Sequence, residues 1–213
     1  MLNRAIKSFQ QLTGFHYEIF VARKGKIYKL KLFFYPGNFV HLSGINKLAD
    51  ISIALKTPNI YQRIINRDKT SNKIKKQLVM SVHFSTIVNR LLSIDKLKSN
   101  FDKASNNKHY KFVNRERENY TLINYNFIIK CFDGDNNYYY FLRRSNEVDG
   151  FIECVVVSTF IDNKKDYTKG QAYMTLLYKT LISNSTKKIE WFMTAGTKCL
   201  KHDLLLVINH TQE

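Results

Sequence analysis

Apolar residues recur at helical spacing at the start of the chain. Leu2, Ile6, Phe9 and Leu12 make one stripe of a short amphipathic helix over residues 2 to 12, ended by Gly14. The pattern then turns to strand character: Tyr17 to Ala22 and Lys26 to Tyr35 read as two strands joined by Arg23-Lys24-Gly25, a tight hairpin with cations at its tip. Alternation along the second strand puts Lys29 and Lys31 on one face and Leu30 and Leu32 on the other, a basic face beside a buried one. Pro36-Gly37-Asn38 signals a turn. Beyond it, Ile45, Leu48, Ala49 and Ile51 approach helical spacing, which predicts a helix from Ile45 with Ser43 as its N-cap.

Residues 57–110 combine a helical segment with a polar connector. Ile60, Ile64 and Ile65 suit a short helix after Pro58. Ile74, Leu78, Val82, Ser85, Val88 and Leu92 trace a longer amphipathic helix with Lys73, Lys75, Lys76 and Arg90 on its outer side. Asn100 to Asn119 is polar and reads as a surface loop. The rest of the chain reads mainly as antiparallel sheet. Tyr120 to Phe132 and Tyr138 to Arg144 flank the turn Asp133-Gly134-Asp135-Asn136-Asn137, and Phe151 to Ile161 comes after Asp149-Gly150. Ala172 to Ile182 fits a helix by Leu176, Leu177 and Leu181 and a strand by its Thr and Tyr content; Lys188 to Met193 and Leu204 to Ile208 supply two further strands. The prediction is a single α+β domain over residues 1–213, a curved antiparallel sheet packed by the N-terminal helix and the basic helical middle.

Charge narrows the possible partners. The formal net charge is +17, and residues 1 to 100 carry 18 Lys and Arg against 4 Asp and Glu, while the remainder carry 16 against 13. The basic field therefore belongs to the first half. A polyanion partner is expected on electrostatic grounds, most economically nucleic acid, whether RNA or DNA, with an acidic membrane surface or an acidic protein as competitors; a merely solubilising surface is the bland reading. Cys131, Cys154 and Cys199 lie far apart without a Cys-x-x-Cys pair, so a reducing compartment is expected, with Cys131 and Cys154 packed in apolar strands. His16, His83, His109, His202 and His210 show no ligand spacing, and no phosphate-binding glycine loop or nucleophile elbow occurs, so no metal and no cofactor is expected. Met1 to Phe9 lacks the apolar run of a signal peptide and no stretch reaches membrane-spanning length, which predicts a cytoplasmic protein without a membrane partner.

Chemistry concentrates in Phe39 to Ile51, where an imidazole, a hydroxyl, a glycine, an amine and a carboxylate fall close together. These are the groups that a metal-free phosphodiester cleavage needs. His41 titrates near neutrality and suits a base or an acid, at what reads as a helix entrance where free N–H groups favour phosphate. Lys47 suits charge stabilisation, and Asp50 is placed to orient either or to cap local backbone. Taken alone, His41 fits a partly buried histidine hydrogen-bonded at a helix start better than a catalytic one. As a catalytic residue it would lie at the rim of a concave basic surface shared with Lys47 and at least one of Lys29 or Lys31.

The run His41-Leu42-Ser43-Gly44, Lys47-Leu48 and Asp50-Ile51, preceded by a strand hairpin, resembles predicted phage and mobile-element nucleases of the barnase, EndoU, colicin and RelE-like (BECR) superfamily, specifically its fourth phage-associated family. The resemblance covers residues 15 to 55 closely and Cys154 to Tyr178 more loosely, through Ser158-Thr159-Phe160, Tyr167 and Gln171. It implies a compact BECR-like α+β fold and a metal-independent, toxin-like endoribonuclease. It also implies His41, Lys47 and Thr159 as catalytic residues, with Lys29, Lys31, Ser43, Ser158, Tyr167 and Gln171 around the substrate. Ser158 and Thr159 otherwise read as strand-end hydrogen-bonding groups, and Tyr167 as one of many structural aromatics. An antitoxin or inhibitor protein is a further partner for such an enzyme. Two other classes fit the charge: a non-catalytic nucleic-acid-binding regulator using a Lys73 to Arg90 helix, and a basic interaction protein that grips an acidic partner. Convergence of the basic residues on His41 discriminates among them.

Overall fold

The computed structural model describes residues 1–52, 59–66, 69–102, 110–115, 121–194 and 197–199. Helix α1 (Leu2–Gln10) turns Leu2, Ala5, Ile6 and Phe9 inward, the stripe that the spacing predicts. Strands β1 (Phe15–Arg23) and β2 (Lys26–Phe33) form the expected hairpin. Its two-residue turn holds Lys24 at φ 47° and Gly25 at φ 74°, the doubly left-handed geometry that matches strand twist.

Among the described residues, five further helices come next: α2 (Asn38–Ser43), α3 (Ile60–Ile65), α4 (Lys69–Val79), α5 (Val88–Asp95) and α6 (Leu97–Asp102). Short 3-10 turns at Ile45–Lys47 and Phe84–Ile87 separate some of them. The remaining strands are β3 (Tyr110–Asn114), β4 (Phe127–Asp133), β5 (Asn136–Val148), β6 (Phe151–Ile161), β7 (Ala172–Ser183), β8 (Ile189–Thr194) and β9 (Thr197–Cys199). Among the described residues, no helix is long and apolar enough to cross a membrane.

The sheet departs from a simple curved antiparallel layer. Its order β1-β2-β6-β5-β4-β3-β7 closes because β7 also pairs with β1, giving a seven-stranded barrel with β8 and β9 added beyond β7. One joint, β2 to β6, is parallel. Closure removes the free edges that an open sheet would leave. Pairing with β1 and β8 over most of its length also resolves the ambiguous segment as strand β7. The Leu204 to Ile208 segment lies outside the described residues.

Helix α6 ties distant parts of this ring together. Phe101 packs on Tyr17 of β1 at 5.4 Å and on Tyr140 of β5 at 5.2 Å, strands on opposite sides of the barrel. Asn100 donates to the Tyr140 hydroxyl at 2.7 Å, and the buried Lys179 ammonium donates to the Phe101 carbonyl. Full burial of one such aromatic side chain contributes about 1.5–3 kcal/mol. Tyr138 and Tyr140 join this helix-packed core while Tyr139 faces a second cluster with Val113, Tyr125, Ile128 and Phe141, as alternation predicts. Cys131 and Cys154 are buried in strands.

The expected long helix over residues 74–92 is broken. The Asp50 carboxylate accepts the Ser81 hydroxyl at 2.6 Å and the Val82 N–H at 3.0 Å, which fixes a turn where the helix would have continued. Val82 is consequently 79% exposed, and the apolar stripe resumes one position out of register at Ile87, Leu91 and Ile94. A single recognition helix from Lys73 to Arg90 does not exist. The break rotates Arg90 toward α2 and β6.

Candidate active site

Local sequence places His41 differently from the expectation. Asn38 to Ser43 is helical, with Phe39, Val40 and Leu42 buried, and α2 stops at Gly44, whose φ of +78° is left-handed. Ser43 is not an N-cap: it is fully buried, and its hydroxyl donates to the Val40 carbonyl at 3.2 Å. His41 thus stands in the last turn of a helix, where the carbonyl ends gather. Any anion beside it must be held by side-chain cations rather than by a helix N-terminus.

Those cations are present. Burial lowers the His41 pKa from the ordinary histidine value, and the positive charges of Arg90, Lys47 and Arg143 lower it further, in that order. Lys47 is itself lowered, chiefly by Arg90 and then by burial. Three cationic side chains, from the 3-10 turn, α5 and β5, therefore act on the exposed imidazole carried by α2. Among the described residues, no carboxylate pairs with Arg90, Lys47 or Arg143.

Arg90 is the anchor of this group. Its guanidinium is partly buried, donates to Ser158 Oγ at 3.2 Å and lies 6.0 Å from the Phe160 ring. The planar fork thereby keeps donors free for a second acceptor. Gly44 lets the arginine pass: a Cβ there would sit 2.9 Å from Arg90 Cδ and 3.0 Å from Ile87 Cγ2. Gly44→Ala is expected to cost about 1–2 kcal/mol for the left-handed backbone alone and also to displace Arg90. Gly134, at φ 58° with nothing within 4 Å of where a Cβ would stand, is the control. Thermal unfolding and activity assays should show both alanine variants losing stability, with only Gly44→Ala losing activity beyond that loss.

The structure groups His41, Lys47 and Ser158, and adds Arg90 and Arg143. Thr159 is 0% exposed and its hydroxyl bonds the Ser93 hydroxyl, so it stands behind the cluster and braces α5 against β6. Asp50 is engaged by Ser81 and Val82 and orients neither His41 nor Lys47. Tyr167 packs edge-on against Phe160 at 5.3 Å and donates to Asp162 at 2.9 Å, one ring removed from Arg90. Gln171 is buried at the end of the same loop, its N–H on the Thr168 carbonyl at 3.1 Å. Lys29 and Lys31 are not among the charges acting on His41; they lie over Phe151, and Lys31 pairs with Glu18 at 3.5 Å. Arg143, at the end of an apolar strand run, has no sequence signal of a site residue. Arg90 has only its residue type, the one suited to bidentate phosphate contact, in a run from Gln77 to Asp95 that holds no lysine.

Among the described residues no group of three His, Cys, Asp or Glu side chains is placed to hold a metal ion. No curated protein and no solved structure matches the chain. The family model described as phage-Barnase-EndoU-ColicinE5/D-RelE like nuclease4 matches residues 2–211, nearly the whole length. The chain, with its barrel carrying a basic cluster around His41, belongs to that phage-associated nuclease family.

Proposed function

We propose that the protein is a metal-independent endoribonuclease that cleaves RNA by attack of the ribose 2'-hydroxyl on the adjoining phosphate. The observation that carries this reading is the set of cations acting on His41, with no carboxylate paired to them among the described residues. Such a set attracts phosphate and repels a divalent metal. His41, its pKa lowered by burial and by the charges of its neighbours, takes the 2'-hydroxyl proton in its neutral form. Arg90 and Arg143 meet the negative charge that grows on the phosphoryl oxygens. Lys47, whose ammonium is made more acidic by Arg90, is the nearby donor for the leaving 5'-oxygen. Ser158 holds the Arg90 fork, and Thr159 holds the helix that carries it.

The test is incubation of purified protein with RNA and with DNA in EDTA. RNA should be cut and DNA bound but left intact. Binding should fall linearly in log affinity with log salt, as expected when several cations displace counterions. Cleavage abolished by EDTA and restored by a divalent metal would refute the assignment. Cytoplasmic action, and restraint by an antitoxin or inhibitor protein, go with this reading of the protein as toxin-like.

A further inference from the structure

The outer face of the β1–β2 hairpin carries a second arrangement that the His41 cluster does not use. Phe20 of β1 stacks on Tyr178 of β7 with centroids 4.1 Å apart and planes 20° apart. Phe151, at the start of β6, meets Phe20 edge-on at 5.7 Å. All three rings are partly exposed, on the face opposite the buried Leu30 and Leu32. Lys29 Nζ lies 6.0 Å from the Phe20 centroid and 5.9 Å from that of Phe151, while Lys31 Nζ lies 4.2 Å from Phe151. Glu18 offsets Lys31 at 3.5 Å, but among the described residues no carboxylate pairs with Lys29. Exposed Lys24 adds a further positive charge at the hairpin tip.

We infer that this face is a binding surface for single-stranded RNA, separate from the cleavage cluster. Partly exposed rings interleaved with ammonium groups suit a ligand that alternates flat bases with phosphates. Duplex bases are already stacked and would gain nothing from the rings. An acidic peptide would use the lysines and leave the aromatics unexplained. The choice of RNA over DNA rests on the proposed cleavage chemistry. The surface would hold a long strand while one of its phosphates occupies the His41 site, so affinity should rise with strand length.

The test measures fluorescence anisotropy of uniformly 2'-O-methylated single-stranded oligonucleotides, which bind without being cut, on the full chain. Lys29→Glu changes an exposed residue, and Phe20→Leu removes a ring while keeping an apolar side chain. Each should weaken binding of a long strand by about tenfold, with thermal unfolding checked alongside. Lys29→Glu should also lower the salt slope by about one or more. Neither should much change binding of a dinucleotide, which is too short to span both places. Wild-type affinity for the long strand in both variants would overturn the inference. So would an equal loss of duplex and single-strand binding in Phe20→Leu. Because no turnover enters these readings, they stand apart from whether the wild type cuts RNA.

Discussion

Replacing His41 with alanine should lower the rate of RNA cleavage by about 10²-fold or more while leaving RNA affinity nearly unchanged. The imidazole is asked to move a proton, and the three neighbouring cations retain the phosphate without it. The pH profile adds a sharper signature. A general base works when unprotonated, and desolvation, Arg90, Lys47 and Arg143 all disfavour its protonated form. The acid limb of kcat/KM should therefore have its midpoint below about 6.5, the unperturbed histidine value, with activity rising as pH increases through it. Removing one of those charges by Arg143→Ala should move the midpoint upward. A histidine that only supports the helix end would give no such displacement.

Arg90→Ala should cost about 10²–10³-fold in kcat, the scale of losing one preorganised donor to a developing oxyanion. Affinity should fall too, because a guanidinium contacts phosphate in the ground and transition states alike. Arg90→Lys should recover only a small part of the rate. An ammonium keeps the charge but cannot hold Ser158 Oγ at 3.2 Å and present a parallel pair of donors to phosphate as well. The acid limb should shift upward in Arg90→Ala, since Arg90 is the largest of the charges depressing His41. Steady-state kinetics across pH read all three effects. Full activity in Arg90→Lys would show that charge alone suffices and that the fork has no role.

The parts of this arrangement that are legible in the sequence are those set by local rules. The β1–β2 hairpin, the bounds of β6 and the division of Tyr138, Tyr139 and Tyr140 between two faces all come from alternation and turn chemistry. Barrel closure has no local signature, because the β1–β7 pairing and the parallel β2–β6 joint connect segments far apart in the chain. Helix α2 escapes a sequence reading because six residues span less than two helical turns, too few for an apolar stripe to repeat; packing on β6 and α5 holds it. The family signature points to His41, Lys47 and Ser158, yet it cannot reveal Arg90 as their neighbour. That depends on Asp50 breaking the helix at Ser81 and Val82, a contact between residues about thirty apart. Chain proximity groups Lys29 and Lys31 with His41, but strand alternation carries them to the outer face over Phe151.

The chemical identity of the new ends distinguishes attack by the 2'-hydroxyl from attack by water. Attack by the 2'-hydroxyl leaves a 2',3'-cyclic phosphate on one fragment and a 5'-hydroxyl on the other, and it cannot occur where the scissile nucleotide carries a 2'-O-methyl group. Mass spectrometry of fragments from a short RNA cut in EDTA, alongside the same RNA methylated at the scissile ribose, reads both. Cyclic phosphate ends are expected from the first and no cleavage of the second. Fragments ending in 3'-hydroxyl groups, or cleavage at the methylated nucleotide, would rule out 2'-hydroxyl attack even if the protein proved to be an active nuclease.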